Sequence, residues 1–283
     1  MEDNQGTVDD PGKVVTLVSP EPRAVSDGVV DVRGVYHEYA LQDEKPQPVL
    51  VDLTLALPPG EFVAIVGPSG CGKTTLLNLL AGLDKQKAGT IAVLGQPPRA
   101  GDTRVGYLFS RDALLPWRTA QKNVELALQL VGVRKKDRAE RAVRALSEMG
   151  LNDYAGALPS QLSQGMRQRV AIARTLVTEP QLVLMDEPFS ALDAQTRILV
   201  QDEFLKMWGR RGITVVLITH DLSEAIALAD RVVLMGRRPS QIKAEFPITL
   251  SRPRSTKALQ SEREYHAIYE AIWKVLEDEF VSN

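Results

Sequence analysis

A glycine-rich loop between a strand-like run and a helix-like run constrains this chain more than any other feature of its sequence. Residues 62–66 form a continuous apolar run, as in a strand covered on both faces, and residues 75–80 have the pattern of a helix. Glycines let a backbone fold around an anion with several N–H groups pointing inward, and the helix N-terminus adds partial positive charge. The pattern therefore predicts a phosphate-binding loop. Its residues, which fit G-x-x-x-x-G-K-[ST], are Gly67, Pro68, Ser69, Gly70, Cys71, Gly72, Lys73 and Thr74.

Two acidic residues after a second apolar run supply the groups that such a loop needs. Lys73 is expected to reach the β- and γ-phosphates of a nucleotide, and the Thr74 hydroxyl is expected to ligate Mg²⁺. The apolar run at 182–185 ends in Asp186 and Glu187. At the carboxyl end of a buried strand, Asp186 can hold Mg²⁺ through water, and Glu187 is placed to polarise an attacking water. The alternative is a strand that ends in two solvated acids.

The order of the predicted elements indicates an α/β protein with a parallel sheet. Helical patterns at 123–130 and 137–149 precede short buried strands, and further helical patterns separate those strands. Residues 1–27 carry six acids and are predicted to form a mobile tail, with a short edge strand at 14–18 as an option. Residues 237–283 combine a basic stretch with an amphipathic helix. The predicted strands are 50–57, 62–66, 182–185, 214–219 and 231–235.

The composition excludes several classes of protein. With 34 Lys and Arg against 36 Asp and Glu, the net charge is −2, so no overall basic field attracts nucleic acid. The N-terminus is acidic and has no apolar core, unlike a secretory signal. The longest purely apolar runs are about five residues, far short of the ~20 residues that span a bilayer. The single cysteine, Cys71, fits a reducing compartment, so we expect a soluble intracellular chain.

Three further motifs resemble those of the ATP-binding cassette family. Residues 162–169 read Leu-Ser-Gln-Gly-Met-Arg-Gln-Arg, which is similar to the family signature LSGGQ. The segment that ends in Asp193 resembles the D-loop, and the segment around His220 resembles the switch histidine. The aromatic residue that stacks on adenine corresponds to Tyr39, with Tyr36 as the alternative.

The resemblance covers about residues 29–235 and implies a fold. The implied architecture is an α/β P-loop NTPase core of mainly parallel sheet, with an antiparallel β subdomain and an inserted α-helical subdomain at about 111–178. The corresponding ATPase domain is 28–236, with the tail at 1–27 and the segment at 237–283 outside it.

The resemblance also implies roles for individual residues, with ATP and Mg²⁺ as cofactors. The nucleotide-binding set extends from the loop to Thr75. Lys73, Glu187 and His220 are the expected catalytic residues, and His220 is expected to contact the γ-phosphate; a satisfied structural imidazole is the alternative. The signature residues are expected to act in trans, on ATP bound by a second ATPase subunit in a head-to-tail dimer. They are Ser163, Gln164 and Gly165.

Two positions depart from the family pattern. Ser110 stands where the family has a glutamine that contacts Mg²⁺ and the attacking water. A serine hydroxyl has a shorter reach, so water must bridge it, which favours a slower or less tightly coupled site. Gln164 replaces the first glycine of the signature, and its side chain must therefore point away from the nucleotide.

The segment 114–119 and the C-terminal region resemble the nitrate, sulfonate, taurine and bicarbonate importer branch. This branch implies transmembrane permease subunits, a solute-binding protein outside the cytoplasm, and a peripheral location on the cytoplasmic face of the cell (inner) membrane. The second ATPase subunit is either the same chain or a different one. Two alternatives remain: a regulatory subunit with weakened hydrolysis, which Ser110 favours, and a soluble ABC ATPase that takes no part in transport.

Three smaller expectations concern exposed or reactive side chains. Leu115 and Trp117 either lie near the groove that receives the permease or belong to the core of the helical region. The basic stretch at 237–257 is either a solvated strand and loop or a surface for anionic lipid. Cys71 is expected to be a reactive thiolate, because it lies beside Lys73 and a helix N-terminus; a buried inert thiol is the alternative.

Overall fold

A six-stranded sheet forms the centre of the protein. The computed structural model describes residues 28–39, 46–254, 256–259 and 261–281, so the predicted tail and its edge strand lie outside the described residues. Five strands of this sheet are parallel, and the sixth pairs antiparallel at one edge. In spatial order the strands are β5 (Val105–Leu108), β6 (Leu182–Asp186), β7 (Thr214–Ile218), β3 (Phe62–Val66), β8 (Arg231–Met235) and β9 (Ile242–Pro247).

The apolar runs of the sequence form strands because both faces of this sheet are covered. All five residues of β3 are buried, and they alternate between two cores on opposite faces. Phe62 packs on the face that most of the helices cover, whereas Val63 and Ile65 pack on the opposite face, against the three-stranded sheet described below. Such two-sided burial explains why these strands are continuous apolar runs instead of alternating patterns. The strands predicted at 62–66 and 231–235 are confirmed to the residue.

A separate three-stranded antiparallel sheet covers one face of the central sheet. Its spatial order is β2 (Gln47–Leu57), β1 (Val30–Tyr39) and β4 (Ala88–Val93). The strand predicted at 50–57 lies within β2, and its apolar residues alternate with half-buried ones as a one-sided strand requires. Asp52 adopts a positive φ of 52°, beside an irregularity in the β1–β2 register.

Most of the helices cover the opposite face, whereas α1 packs on the same face as the three-stranded sheet. The predicted helices at 123–130 and 137–149 correspond to α2 and α3, which pack with α4 into the helical region. The helices are α1 (Lys73–Leu80), α2 (Ala120–Leu130), α3 (Lys135–Glu148), α4 (Gln164–Leu176), α5 (Ala194–Arg211), α6 (Leu222–Leu228), α7 (Thr256–Leu259) and α8 (Arg263–Val281). Among the residues that the structure describes, none of these helices has the length and apolarity needed to cross a membrane.

The C-terminal region packs onto the central sheet. β9 pairs with β8, and α8 packs against α6 through its predicted apolar stripe. That stripe buries Tyr265, Ile268, Ile272 and Leu276. The domain boundaries expected from the sequence stay predictions, but residues on both sides of position 236 share one core.

Two bases of the C-terminal stretch, Arg252 and Arg254, form most of their contacts within the protein. Arg254 is only 8% exposed and donates to the carbonyl oxygens of Ile226, Ile248 and Leu250, among others. Burial lowers the pKa of Arg254 to about 10. Arg252 pairs with the Asp230 carboxylate and lies 4.3 Å from the centre of the Trp208 ring. For Arg254 both sequence hypotheses, a lipid-facing surface and a solvated strand, are therefore wrong. The stretch does contain a strand, β9, and its bases Arg238, Lys243 and Lys257 are exposed.

Candidate nucleotide-binding site

The glycine-rich loop closes on itself around the ammonium group of Lys73. The Lys73 Nζ donates to the carbonyl oxygens of Gly67 at 2.8 Å and Pro68 at 3.0 Å. Gly72 precedes α1 with a φ of 110°, and a Cβ there would lie 2.7 Å from Val49 Cγ1. Only glycine tolerates both conditions, so the loop is held in shape by its backbone and by the lysine it surrounds.

The loop meets the carboxyl end of β6 through a hydroxyl–carboxylate contact. The Thr74 Oγ1 donates to Asp186 Oδ1 at 3.2 Å. Burial raises the pKa of Asp186, against the opposing effect of the Thr74 hydrogen bond. The contact brings together the two residues that the sequence predicts as Mg²⁺ ligands.

Glu187 and His220 face each other at the same edge of the sheet. Nδ1 of His220 lies 3.1 Å from Glu187 Oε2, and 62% of the His220 side chain is exposed. Glu187 adopts a positive φ of 47°, and its backbone N–H donates to the Ile218 carbonyl at 3.0 Å. Left-handed backbone at a residue other than glycine is strained and clusters at functional sites. His220 is therefore exposed and bound to an acidic partner, unlike a buried structural imidazole.

A cavity of about 350 Å³ lies over the loop. Tyr39 lies at this cavity, and its hydroxyl is 3.4 Å from Thr75 Oγ1. The Tyr36 hydroxyl instead donates to the Glu38 carboxylate at 2.5 Å. Of the two aromatic candidates, Tyr39 is the one at the cavity. The lining residues are Tyr39, Val49, Ser69, Gly70, Gly72, Lys73, Thr74, Thr75, Glu187 and Arg238.

Val49 and Arg238 are the two cavity residues that the sequence analysis missed, and Arg238 is the charged one. It follows β8 and belongs to the basic stretch, far from the loop in sequence. The sequence position of Arg238 relative to the motifs does not predict this placement. Arg238 reaches the cavity only because the C-terminal stretch folds back onto β2.

The signature residues begin a helix that touches the start of another. Ser163 caps α4, and its hydroxyl accepts from the Met166 N–H at 3.2 Å. Asp193 caps α5 in the same way, through the Thr196 N–H at 3.0 Å, and this backbone hydrogen bonding lowers the pKa of Asp193. Gly165 is buried against Thr196, so that a Cβ at position 165 would clash with Thr196 Cγ2. This glycine is required by packing within the chain.

Ser110 and Gln164 lie at a second cavity, of about 340 Å³. Neither lines the cavity over the loop. Both are exposed, and they share this second cavity with Gln168, which is 4% exposed and whose Nε2 has no hydrogen-bond partner among the residues that the structure describes. The roles that the resemblance assigns to Ser110 and to Gln164 stay predictions.

The expectation of a reactive thiolate at Cys71 is wrong. The side chain is 1% exposed, and burial raises the pKa of the thiol despite the opposing charge of Lys73. Desolvation of the thiolate raises the pKa more than the positive charge of Lys73 lowers it. The Lys73 ammonium also already binds two carbonyl oxygens.

Trp117 is 72% exposed, which excludes the core alternative for this residue. The segment that carries it is fixed by Asn123, a fully buried residue of α2. The Asn123 Nδ2 donates to the carbonyls of Leu115 and Arg118, and its Oδ1 accepts from the Leu115 N–H at 2.8 Å. A large apolar side chain is therefore held outward on an anchored loop.

Comparison with known proteins identifies the family to which the chain is similar. A family model described as ABC transporter matches residues 50–190. The chain is 43% identical over 234 residues to an uncharacterized ABC transporter ATP-binding protein of Methanocaldococcus jannaschii, covering 83% of this chain and 86% of that one. It is 41% identical over 242 residues to the taurine import ATP-binding protein TauB of Escherichia coli O157:H7, covering 84% and 94%.

Two further comparisons concern a sulfonate importer and a solved structure. The aliphatic sulfonates import ATP-binding protein SsuB 1 of Xanthomonas axonopodis pv. citri is 45% identical over 214 residues, covering 74% of this chain and 84% of that one. A solved dimeric ATP-binding cassette, in a post-hydrolysis state with ADP and Pi bound, matches with a TM-score of 0.69 and 31% identity. That match covers 78% of this chain and 100% of the solved one.

The contact between Gly165 and Thr196 predicts that Gly165→Ala destabilises the wild-type protein but stabilises a Thr196→Ser variant. Gly165→Ala is expected to destabilise the protein by about 1–3 kcal/mol, because it overpacks the α4–α5 junction. With Thr196→Ser, which removes Cγ2, the same substitution is expected to stabilise, since alanine is the better helix former. Urea unfolding of the four proteins measures the coupling. Equal effects of Gly165→Ala in both backgrounds would contradict the packing argument.

The burial of Glu224 predicts that the stability of the protein depends on pH. Burial raises the pKa of Glu224 from 4.5 to about 7, and Gln201 donates to its carboxylate at 2.7 Å. Between these pH values the folded state keeps a proton that the unfolded state has lost, so stability falls as pH rises through that window. Glu224→Gln is therefore expected to match the wild type near pH 4.5 and to be more stable above pH 7, by on the order of 3 kcal/mol.

The measurement is the unfolding free energy of both proteins at several pH values. Glu140→Gln is the matched control, because 76% of the Glu140 side chain is exposed. A constant difference between Glu224→Gln and wild type across the pH range would show that Glu224 does not titrate as expected.

Proposed function

The chain belongs to the ABC transporter family, and from that membership we propose that it is the ATP-hydrolysing subunit of a membrane importer for small sulfonated solutes. Hydrolysis is supported most directly by the meeting of Thr74, Asp186, Glu187 and His220 at one edge of the sheet. The solute class is supported by the taurine and aliphatic sulfonate import proteins, which are 41% and 45% identical to this chain.

Mg²⁺ fits the residues at the end of β6. Mg²⁺ prefers hard oxygen ligands, and the Thr74 hydroxyl and the Asp186 carboxylate offer two of them. Their oxygens are 3.2 Å apart. Among the described residues no three His, Cys, Asp or Glu side chains cluster as a metal site. Phosphate oxygens and water would therefore complete the coordination, and the bound ion would neutralise charge that develops on those oxygens.

The chain's own residues divide the remaining work of hydrolysis. Lys73 and the inward N–H groups of the loop hold the phosphates. Glu187 orients and polarises the attacking water, and its strained backbone fixes the direction of the carboxylate. His220 contacts the γ-phosphate and holds Glu187 through the 3.1 Å contact. Tyr39 stacks on the adenine at the other end of the cavity.

The active unit that we propose is a dimer. The solved cassette that matches this chain is dimeric. In our proposal Ser163 and Gly165, at the N-terminus of α4, cap the γ-phosphate that the second subunit binds. The Ser163 oxygen accepts from the Met166 N–H, so its own hydroxyl hydrogen is directed elsewhere and can be donated to a phosphate oxygen.

The permease contact is proposed to lie at the segment around Trp117. An exposed tryptophan on an anchored loop is the kind of group that carries binding energy at protein interfaces. Leu115, which is half-buried beside it, continues the apolar surface. Through this contact the subunit would be peripheral on the cytoplasmic face of the membrane, with a solute-binding protein on the opposite side.

Replacement of Glu187 tests the hydrolytic role. Glu187→Gln keeps the shape of the side chain but cannot accept a proton, so the ATPase rate is expected to fall by about 10²–10⁴-fold with ATP affinity retained. Steady-state phosphate release and equilibrium ATP binding measure the two quantities. Glu277→Gln, an exposed substitution on α8, is the control. If the wild type binds ATP without hydrolysing it, the regulatory alternative that Ser110 favours replaces this proposal.

Affinity purification from native membranes tests the transport role. We expect a multi-spanning permease to accompany the chain, and Trp117→Ala to weaken that association without loss of ATP binding. Mass spectrometry also distinguishes a second copy of this chain from a different ATPase. Recovery of the chain only from the soluble fraction, with no membrane protein attached, would contradict the importer.

A further inference from the structure

We propose that Arg238 binds the nucleoside half of the nucleotide, beside Tyr39. This inference rests on the proposed function, since it assigns a residue to the same ATP site. It concerns a residue outside the glycine-rich loop and outside the motifs that revealed the site. Arg238 lies in the loop between β8 and β9 and lines the cavity of about 350 Å³ over the phosphate-binding loop.

The backbone of β2 fixes the position of the guanidinium group. The Arg238 Nε donates to the Pro48 carbonyl at 3.0 Å, and Nη2 donates to the Gln47 carbonyl at 3.2 Å. In the β1–β2 pairing Gln47 is the partner of Tyr39. The guanidinium is therefore attached to the strand position directly opposite Tyr39, the residue to which the proposed function assigns the adenine.

Hydrogen bonds of Ser240 fix the loop that carries Arg238, both to β2 and across the loop itself. Ser240 donates its N–H to the Val49 carbonyl at 2.7 Å, and its own carbonyl accepts from the Val51 N–H at 3.0 Å. The Ser240 hydroxyl donates to the Gly236 carbonyl at 2.9 Å. Because the loop is ordered before ligand binds, a contact from Arg238 costs little conformational entropy.

A guanidinium binds phosphates as well as aromatic bases, so the position of Arg238 decides between the two. Its planar face can lie against the base, and N–H groups beyond the two bound to β2 can donate to ribose or base acceptors. The phosphates already have Lys73 and the loop amides, whereas Arg238 is bound to the backbone of β2 opposite Tyr39. A base held between an aromatic ring and a guanidinium is bound on two sides.

The test compares three ligands on purified protein: ATP, ADP and inorganic tripolyphosphate. Arg238→Ala is expected to weaken ATP and ADP by the same factor, about tenfold, which corresponds to a cation–π or charged hydrogen-bond contact. Tripolyphosphate affinity is expected to stay unchanged, since it has no nucleoside. Isothermal calorimetry gives the dissociation constants, and steady-state ATPase assays are expected to show a raised KM with an unchanged kcat.

Arg237→Ala is the matched control, because it removes the same charge from the same loop. Its guanidinium binds the Glu279 backbone carbonyl of α8 and does not line the cavity. Arg238→Lys keeps the charge without the planar group and is expected to lose most of the affinity. It carries the test if the alanine variant fails to fold, as thermal unfolding of the nucleotide-free proteins would reveal.

Three results would overturn the inference: unchanged nucleotide affinity in Arg238→Ala, equal weakening of tripolyphosphate, or full affinity in Arg238→Lys. Equal weakening of tripolyphosphate would assign the arginine to the phosphates. Failure of the wild-type protein to bind ATP would instead contradict the proposed function. The two failures are thereby separated.

Discussion

The parallel register of β6, β7 and β3 brings the site together. Asp186 at the end of β6 pairs with Ile218 at the end of β7, and Ile218 pairs in turn with Ile65 of β3. The loop, the acidic pair and the histidine leave three adjacent strands at one edge, although they are far apart in the chain. A slip of one residue in this register would turn every side chain to the other face. The burial of the apolar strand faces therefore fixes the relative positions of the loop, the acidic pair and the histidine.

The parts that depend on local sequence were predictable. Apolar runs located β3 and β8 to the residue, and motif spacing located the loop and the strand-end acids. The errors concern groups whose surroundings come from distant segments. Cys71 is buried by other parts of the chain, so desolvation opposes the cation that stands near it in sequence. Arg254 is held by carbonyls that only the folded C-terminal region brings around it.

Several motif residues also begin helices. Ser163 caps α4, Asp193 caps α5, and Asp221 caps α6 by accepting from the Ser223 and Glu224 N–H groups. A capping side chain leaves the remaining N–H groups of the first turn directed outward, with the positive end of the helix dipole behind them. Gly165 adds the close approach of α4 to α5. A substitution at these positions therefore changes the local fold as well as any role in the proposed nucleotide site, and activity alone does not separate the two effects.

The C-terminal region is joined to the nucleotide cavity by the loop at 236–241. On one side this loop binds β2 through Ser240 and Arg238. On the other side, the Arg237 N–H donates to the Glu279 carboxylate of α8, and Lys243 of β9 pairs with the same carboxylate at 3.2 Å. A movement of α8 would displace the loop, and with it the guanidinium at the cavity, because neighbouring residues of one short segment make both sets of contacts. The segment after β8 thus acts as a wall of the site as well as an edge of the sheet.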